Sequence, residues 1–194
     1  MRIAYIGLGA NLPSPSGPPE ATLAAAAARL ESLGRVLARS SLYSTTPVGF
    51  ADQPRFLNAA AALETELTPF ELLGALLLIE QDFGRNRAYS LANGPRTLDL
   101  DILLYGDFVI GGASLVIPHA RLAERAFVLV PLNEIAPHAV DSRSGSTVSQ
   151  LLGSLVPSHG NQPYPGNDID AVVQIKSELW RPLADFGAAD PGKP

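Results

Sequence analysis

Alternating hydrophobic and polar positions recur along the first half of the chain and predict four strands. The alternation covers residues 2–9, 35–45 and 55–67, and it returns in GPRTLDLDILLYGD, residues 94–107. Alternate side chains of a strand point to opposite faces, so each run presents one set of residues to a core and the other set elsewhere. The strands are short and separated, as expected of a domain that mixes strands with helices.

Two helical patterns lie between these strands. Residues 20–33, EATLAAAAARLESL, are rich in strong helix formers, and Gly34 follows them as an end signal. The second helix has a full start signal, with Thr68 as N-cap, Pro69 at the first helical position and Glu71 completing a capping box. The order strand–helix–strand, strand–helix–strand predicts an α+β, ferredoxin-like split βαβ fold, an antiparallel sheet with helices on one face.

The second half of the chain continues with shorter elements. Residues 106–119 predict a short hairpin, residues 120–137 a helix interrupted at Pro131, and residues 147–155 a last short helix. From Val156 onward Pro, Gly, Asn and Asp dominate, apart from the apolar stretch AVVQIKSELW.

Length and composition favour one globular domain with an extension. The 194 residues predict a main domain over 1–155 and a C-terminal appendage over 156–194 that wraps the domain or is partly disordered. With no cysteine and a net charge of −5, the chain offers no thiolate chemistry and no general attraction for nucleic acid or anionic membrane. The apolar run in MRIAYIGLGANL is too short for a signal peptide. We expect a cytoplasmic monomer that acts on small molecules.

Two acidic residues interrupt the fourth strand. Asp99 and Asp101 alternate with leucines, so both carboxylates leave the same face, about 7 Å apart by strand geometry. They are either solvated acids, one of them paired with Arg96, or ligands for a cation such as Mg²⁺, which accepts one or two carboxylates together with substrate phosphate. Arg85, Arg87 and Arg96 lie just upstream and form either a solvated loop or a clamp for phosphate oxygens.

A few further residues are candidates for a binding face. Asn58 is unusual inside a strand, and with Phe56 on the same face it forms either a recognition site for a planar heterocycle or an ordinary bulge or edge. His119 follows Pro118 and could contact phosphate or carry a proton, although its pattern favours a turn residue. Phe127 alone is typical of a core. No GxxxxGK[ST] phosphate loop is present, and GLGANL does not match the dinucleotide-binding GxGxxG.

Taken together, four segments resemble the hydroxymethyl-dihydropterin pyrophosphokinases of folate synthesis. They are YIGLGANL, STTPVGFADQPRFLNAA, FGRNRAYSLANGPRTLDLDILLYGD and IPHARLAERAFVLVPLNEIAPH, and the likeness runs from about residue 3 to residue 138. The resemblance implies a pyrophosphokinase domain over 1–155. It also implies transfer of the pyrophosphoryl group of ATP to 6-hydroxymethyl-7,8-dihydropterin, with release of AMP.

The resemblance also implies residue roles. Two Mg²⁺ ions would be held by Asp99 and Asp101. The catalytic set would be Arg85, Arg96, Asp99 and Asp101. The ATP site would contain Glu80, Arg85, Arg87, Arg96, Ile102, His119 and Arg125. The pterin site would contain Thr45, Val48, Phe56, Asn58 and Phe127.

The chain departs from the family pattern at a few positions, and other functions compete with this one. Leu77, Asn93 and Ala120 stand where Gln, Trp and Tyr occur in other members, which bears on contacts to ATP and on the loop but not on the acid pair. A ferredoxin-like module that binds a small ligand without catalysis is the main alternative. A metal-dependent phosphatase is a second enzyme hypothesis, and it would release inorganic phosphate without a pterin.

Overall fold

The computed structural model describes residues 1–48, 52–87, 94–155 and 171–183. At its centre lies a six-stranded antiparallel sheet with the order β5-β1-β4-β3-β8, in which β2 also pairs with β4. A two-stranded hairpin, β6 and β7, lies outside it. The strands are β1 (Arg2–Ala10), β2 (Arg35–Arg39), β3 (Leu42–Thr45), β4 (Phe56–Thr65), β5 (Asp99–Tyr105), β6 (Ile110–Gly111), β7 (Val116–Ile117) and β8 (Val172–Ile175).

Within the described residues, four α-helices accompany the sheet: α1 (Pro19–Leu30), α2 (Pro69–Asp82), α3 (Ala126–Ile135) and α4 (Val148–Leu155). The first two pack on one face, where Leu23 and Leu76 meet Ile6, Leu63 and Leu100 in the larger core. This confirms the predicted antiparallel sheet with helices on one face. The capping box at the start of α2 is also confirmed by the structure.

The other face of the sheet is covered in part by α3 and α4. Leu129 and Leu132 of α3 pack with Ala60, Ala62 and Leu103 in a second, smaller core. Alanines on β4 leave room for the helix to approach the sheet closely. The first turn of α3 lies near the end of this face, and the candidate site residues gather there.

Two predicted elements differ from the structure. The single strand over 35–45 is two strands, because Ser40 and Ser41 between them turn their polar groups inward, and Ser40 Oγ accepts from the Ala60 N–H at 2.9 Å. The interruption at Pro131 is wrong, since α3 continues through it to Ile135. Because Pro131 lies only five residues after the first residue of α3, its missing N–H removes one helical hydrogen bond, and burial of the helix offsets the loss.

Part of the predicted appendage joins the sheet. Strand β8 pairs with β3, and Trp180 is only 3% exposed, with its Nε1 donating to the Ser40 carbonyl at 2.7 Å. The Arg39 guanidinium lies 5.6 Å from the centre of the Trp180 ring. Residues 156–170 and 184–194 lie outside the described residues. Within the described part of the chain, no helix combines the length and hydrophobicity needed to cross a membrane.

Candidate active site

The pairing of three strands builds the site on the face that α3 shares. Gly9 of β1 lies directly opposite Asn58 of β4 on one side and opposite Asp99 of β5 on the other. Two residues earlier on the same face of β1, Gly7 lies opposite Asp101. Residues directly opposite each other on neighbouring strands project from the same face. The sheet therefore places an amide, a gap without a side chain and a carboxylate in one row.

Three arginines surround the carboxylate of Asp99. Arg96 Nε lies 3.0 Å from its Oδ2, while Nη2 atoms of Arg85 and Arg87 lie 3.4 and 3.8 Å from its Oδ1. The Arg85 side chain is only 9% exposed, and this burial lowers its pKa although the charge of Asp99 opposes the effect. Arg87 is also paired with Glu80, so Asp99 is left to balance the two guanidinium charges of Arg85 and Arg96. The cluster is thus suited to a polyanionic ligand such as a phosphate chain.

Asp101 differs from Asp99, because it is a half-buried carboxylate without a hydrogen-bond donor among the described residues. No described residue donates a hydrogen bond to it, and Asp99 lies two residues away on the same face. Burial first, and the charge of Asp99 second, raise the pKa of Asp101 to about 6. A divalent cation would relieve both effects, so the pair fits Mg²⁺. Among the described residues no group of three or more metal-binding side chains occurs, so phosphate or water would supply further ligands.

Glu80 on α2 connects the helix to this cluster. Its side chain is 1% exposed, and its two oxygens accept from Arg87 Nε and Nη2, both at 2.7 Å. One of these oxygens also accepts from the Leu100 N–H at 2.8 Å. The bond to Glu80 raises the pKa of Arg87 and fixes the direction of its guanidinium. In this structure Glu80 therefore positions Arg87 and the start of β5.

The predicted heterocycle site is a cavity beside the row. All five residues assigned to it contribute to the lining, together with the guanidinium of Arg96, which lies 4.8 Å from the Phe56 ring centre. Asn58 Nδ2 donates to Thr45 Oγ1 at 2.7 Å, which orients the amide. Two aromatic rings beside an oriented amide suit a flat, polar heterocycle. The lining residues are Thr45, Thr46, Val48, Phe56, Asn58, Arg96, Arg121, Arg125 and Phe127.

Two residues predicted to belong to the ATP site, Ile102 and His119, lie in surroundings that limit what their side chains can do. The side chain of Ile102 is 4% exposed and lies in the core below α1 and α2, so only its backbone could reach a ligand. The peptide bond between Ile117 and Pro118 is cis, and His119 comes directly after it. The Nδ1 atom of His119 accepts from the Arg121 N–H at 3.2 Å. Burial first and Arg125 second lower the pKa of His119 to about 4, which keeps the imidazole neutral at pH 7.

Sequence reasoning missed several residues of the site. Gly7 and Gly9 form the floor beside the acid pair, and the signal was two alternating glycines inside a strand. Asn11 is buried and accepts from the Arg96 N–H at 2.8 Å, while its Nδ2 donates to the Pro54 carbonyl at 3.0 Å.

The three departures from the family pattern have different positions. Leu77 is half-buried on α2, and Ala120 is exposed beside His119. Asn93 lies outside the described residues.

Comparison with known proteins decides between the candidate functions. The family model described as 7,8-dihydro-6-hydroxymethylpterin-pyrophosphokinase (HPPK) matches residues 5–137. The chain belongs to the HPPK family. It is therefore an ATP-dependent pyrophosphokinase, a diphosphotransferase rather than a phosphatase or a passive binding module.

Relatives and solved structures agree with this assignment. The chain is 47% identical over 160 residues to the 2-amino-4-hydroxy-6-hydroxymethyldihydropteridine pyrophosphokinase of Methylorubrum extorquens, covering 81% of this chain and 96% of the relative. It is 44% identical over 164 residues to the enzyme of the same name from Pseudomonas aeruginosa, with coverage of 84% and 96%. The fold matches wild-type HPPK-DHPS of Plasmodium falciparum with a TM-score of 0.66 at 16% identity, covering 89% of this chain and 45% of that one.

Proposed function

We propose that the chain transfers the pyrophosphoryl group of ATP to 6-hydroxymethyl-7,8-dihydropterin. In this proposal the acid pair and the arginines bind the nucleotide, and the aromatic cavity binds the pterin. One observation carries the assignment of these roles. The strand register places the amide of Asn58 and the carboxylate of Asp99 in one row, separated by the single strand β1. The two substrates would thus meet over β1.

The nucleotide half is supported by charge. Asp99 and Asp101 would hold Mg²⁺, which when bound neutralises phosphate charge and orients the triphosphate. Arg85 and Arg96 face Asp99 and can turn their N–H groups to phosphate oxygens once Mg²⁺ and nucleotide are present. Arg125, half-buried and in contact with the Phe127 ring, adds a third cation between the two halves.

The pterin half is supported by shape and hydrogen bonding. Phe56 and Phe127 provide two aromatic surfaces, and the Asn58 amide, oriented by Thr45, offers both donor and acceptor capacity. Val48 lines the same cavity. The site therefore suits a flat ring that carries a short alcohol side chain.

The transfer itself requires little covalent help from the protein. The pterin hydroxyl oxygen attacks the β-phosphorus, the bond to the α-phosphate oxygen breaks, and AMP leaves while the hydroxyl proton is lost. Holding the two reactants in line and stabilising the charge supply most of the rate. His119 is neutral at pH 7, and because its Nδ1 accepts from the Arg121 N–H, its Nε2 can donate a hydrogen bond to this region without adding charge.

The test is an AMP-release assay with the purified full chain. We expect AMP only when ATP, Mg²⁺ and the pterin are all present, and no inorganic phosphate. Chelation of the divalent ion should abolish the reaction. AMP release that continues without divalent ions would contradict the metal assignment. Inorganic phosphate released without pterin would indicate a phosphatase.

We also propose that one chain suffices. The lining of both halves of the site comes from β1, β3, β4, β5, the start of α3 and the loops beside them, all within a single chain. Activity per mole of chain that stays constant on dilution, with one monomeric species in size-exclusion chromatography, is the expected result. A loss of specific activity on dilution would overturn this proposal.

A further inference from the structure

The glycine at the centre of the row, Gly9, has no conformational reason to be a glycine. Gly9 lies inside strand β1, and it is absent from the positive-φ glycines of the described residues, which include Gly84 at φ +82°. A glycine inside a strand weakens it, because it has no side chain to pack and more freedom in the unfolded chain. Such a glycine often marks a place where a ligand approaches the backbone.

The space above Gly9 is limited on one side only. A Cβ added there would lie 3.2 Å from Asn58 Oδ1, which is tighter than usual and would force the amide to move. The same Cβ would lie 3.9 Å from the Asp99 Cβ, an ordinary contact that requires no movement. A methyl group would thus disturb the pterin side of the row and leave the acid side in place.

The register sets the scale of this gap. Asn58 and Asp99 lie two strand spacings apart, about 10 Å, with only the backbone of Gly9 between them. In the proposed reaction the pterin ring lies towards Asn58 and the phosphates towards Asp99. The alcohol oxygen and the phosphorus must approach to about 3–3.5 Å before bond formation. The gap over Gly9 is where the sheet leaves room for that approach.

We propose that Gly9 is a positioning residue of the reaction: its missing side chain keeps open the space in which the pterin alcohol meets the transferred phosphoryl group. This inference rests on the proposed function. It predicts that a methyl group at position 9 leaves the fold and nucleotide binding intact, weakens pterin binding and slows the transfer between the two substrates.

The test is Gly9→Ala in the full chain. Affinity for a non-hydrolysable ATP analogue with Mg²⁺, measured by calorimetry, should stay within about twofold, since Asp99 does not move. Pterin affinity should fall about fivefold, and kcat should fall about tenfold or more because the reacting atoms are held apart. Unchanged kcat would overturn the proposal. A parallel loss of nucleotide affinity, pterin affinity and thermal stability would also overturn it, because a structural role explains that pattern.

Gly74→Ala is the matched control for adding a methyl group. Gly74 lies on α2, where an added Cβ would meet nothing within 4 Å. This variant should keep both affinities and kcat. A comparable loss of kcat in Gly74→Ala would show that the effect at Gly9 is not local.

A double-mutant cycle with Asn58→Ala separates two routes by which the methyl group could act. If it acts only by displacing the Asn58 amide, adding Gly9→Ala to Asn58→Ala leaves kcat at saturating pterin unchanged, which overturns the proposal. If it fills the transfer space, kcat falls in both backgrounds. Wild-type chain that releases no AMP would contradict the proposed function itself. Normal wild-type activity with an active Gly9→Ala variant would contradict only this inference.

Discussion

The two faces of strand β5 show how one short segment serves two purposes. Leu100 and Ile102 point under α1 and α2, where they are almost fully buried among apolar neighbours. Asp99 and Asp101, which alternate with them, point to the other face. There three arginines share Asp99, while Asp101 is half-buried without a hydrogen-bond donor among the described residues. The covered face is satisfied by its own packing, whereas the site face leaves one carboxylate without a donor.

This difference assigns different costs to the two faces. Burial of a leucine stabilises the fold by about 1.5–3 kcal/mol, so the covered face contributes most of the stability of β5. A half-buried carboxylate beside a second carboxylate contributes little to stability or lowers it. Changes on the covered face should therefore affect stability more than activity, and changes on the site face should affect activity more than stability.

Asp101→Asn is expected to have the largest effect. Turnover should fall about 10³-fold or more, because a neutral amide binds Mg²⁺ weakly and several kcal/mol of charge stabilisation are lost. Thermal stability without metal should stay the same or rise, because burial and the charge of Asp99 disfavour the ionised form of Asp101 and raise its pKa to about 6. AMP-release kinetics and thermal melting in chelator measure the two effects.

Asp99→Asn is the control for this result. It should lower turnover to a similar extent, but it should also destabilise the protein, since three arginines lose the carboxylate they share. A rise in stability for Asp99→Asn, or a fall for Asp101→Asn, would show that the two acids do not differ in the way the structure indicates.

Leu100→Ala tests the covered face of the same strand. The side chain is 2% exposed, so its truncation should lower the free energy of unfolding by about 2–5 kcal/mol. Turnover per folded molecule at low temperature should change little, because the backbone that carries the acids on the other face keeps its position. Urea denaturation and active-site titration measure these quantities. A collapse of kcat at full folding would mean that the two faces are not independent.

Sequence patterns predict this division well where it depends on local rules. The alternation of acids with leucines in β5 separates the two faces without reference to other strands. The start of α2 follows in the same way from Thr68 and Glu71. The resemblance to known enzymes then adds expected roles that no local rule contains, such as those of Val48 and Phe127.

The rest depends on contacts between distant parts of the chain. That β1 lies between β4 and β5, and that Gly9 therefore separates Asn58 from Asp99, is a matter of long-range register. The hydrogen bond between Ser40 and β4, and the hydrogen bond from Trp180 to the Ser40 carbonyl, likewise form only once distant strands have come together. Pro131 shows the limit of a local rule, because tertiary packing keeps α3 continuous across it.

His119 gives the site face a smaller dependence on pH. Its pKa is about 4 in the folded protein because of burial and then of Arg125, with Arg121 and Arg143 acting in the same direction and Asp99 opposing them. The unfolded chain binds the proton near pH 6.5, so protonation favours unfolding as the pH falls from about 6.5 to about 4. The loss reaches about 3 kcal/mol at most.

Chemical denaturation of wild type and His119→Gln across that pH range checks this expectation. The variant should lose less stability on acidification. Above pH 7 the free energy of unfolding should change with pH in nearly the same way in both proteins. Parallel curves would show that the imidazole is already protonated in the folded protein or that it is solvated.

The capping box of α2 should produce the smallest effect, and it lies on the covered side of the sheet. Glu71 N donates to Thr68 Oγ1, and Glu71 Oε2 accepts from the Thr68 N–H at 2.8 Å. Thr68→Ala removes the N-cap acceptor and should lower the free energy of unfolding by about 1 kcal/mol. Thr68→Ser keeps the acceptor and should restore most of the stability.

Because α2 also carries Glu80, a drop in ATP affinity in Thr68→Ala that Thr68→Ser does not show would mean that the helix start transmits strain to the nucleotide half. Equal affinity in all three proteins is the expected result, and it would confine the cap to stabilising the covered face.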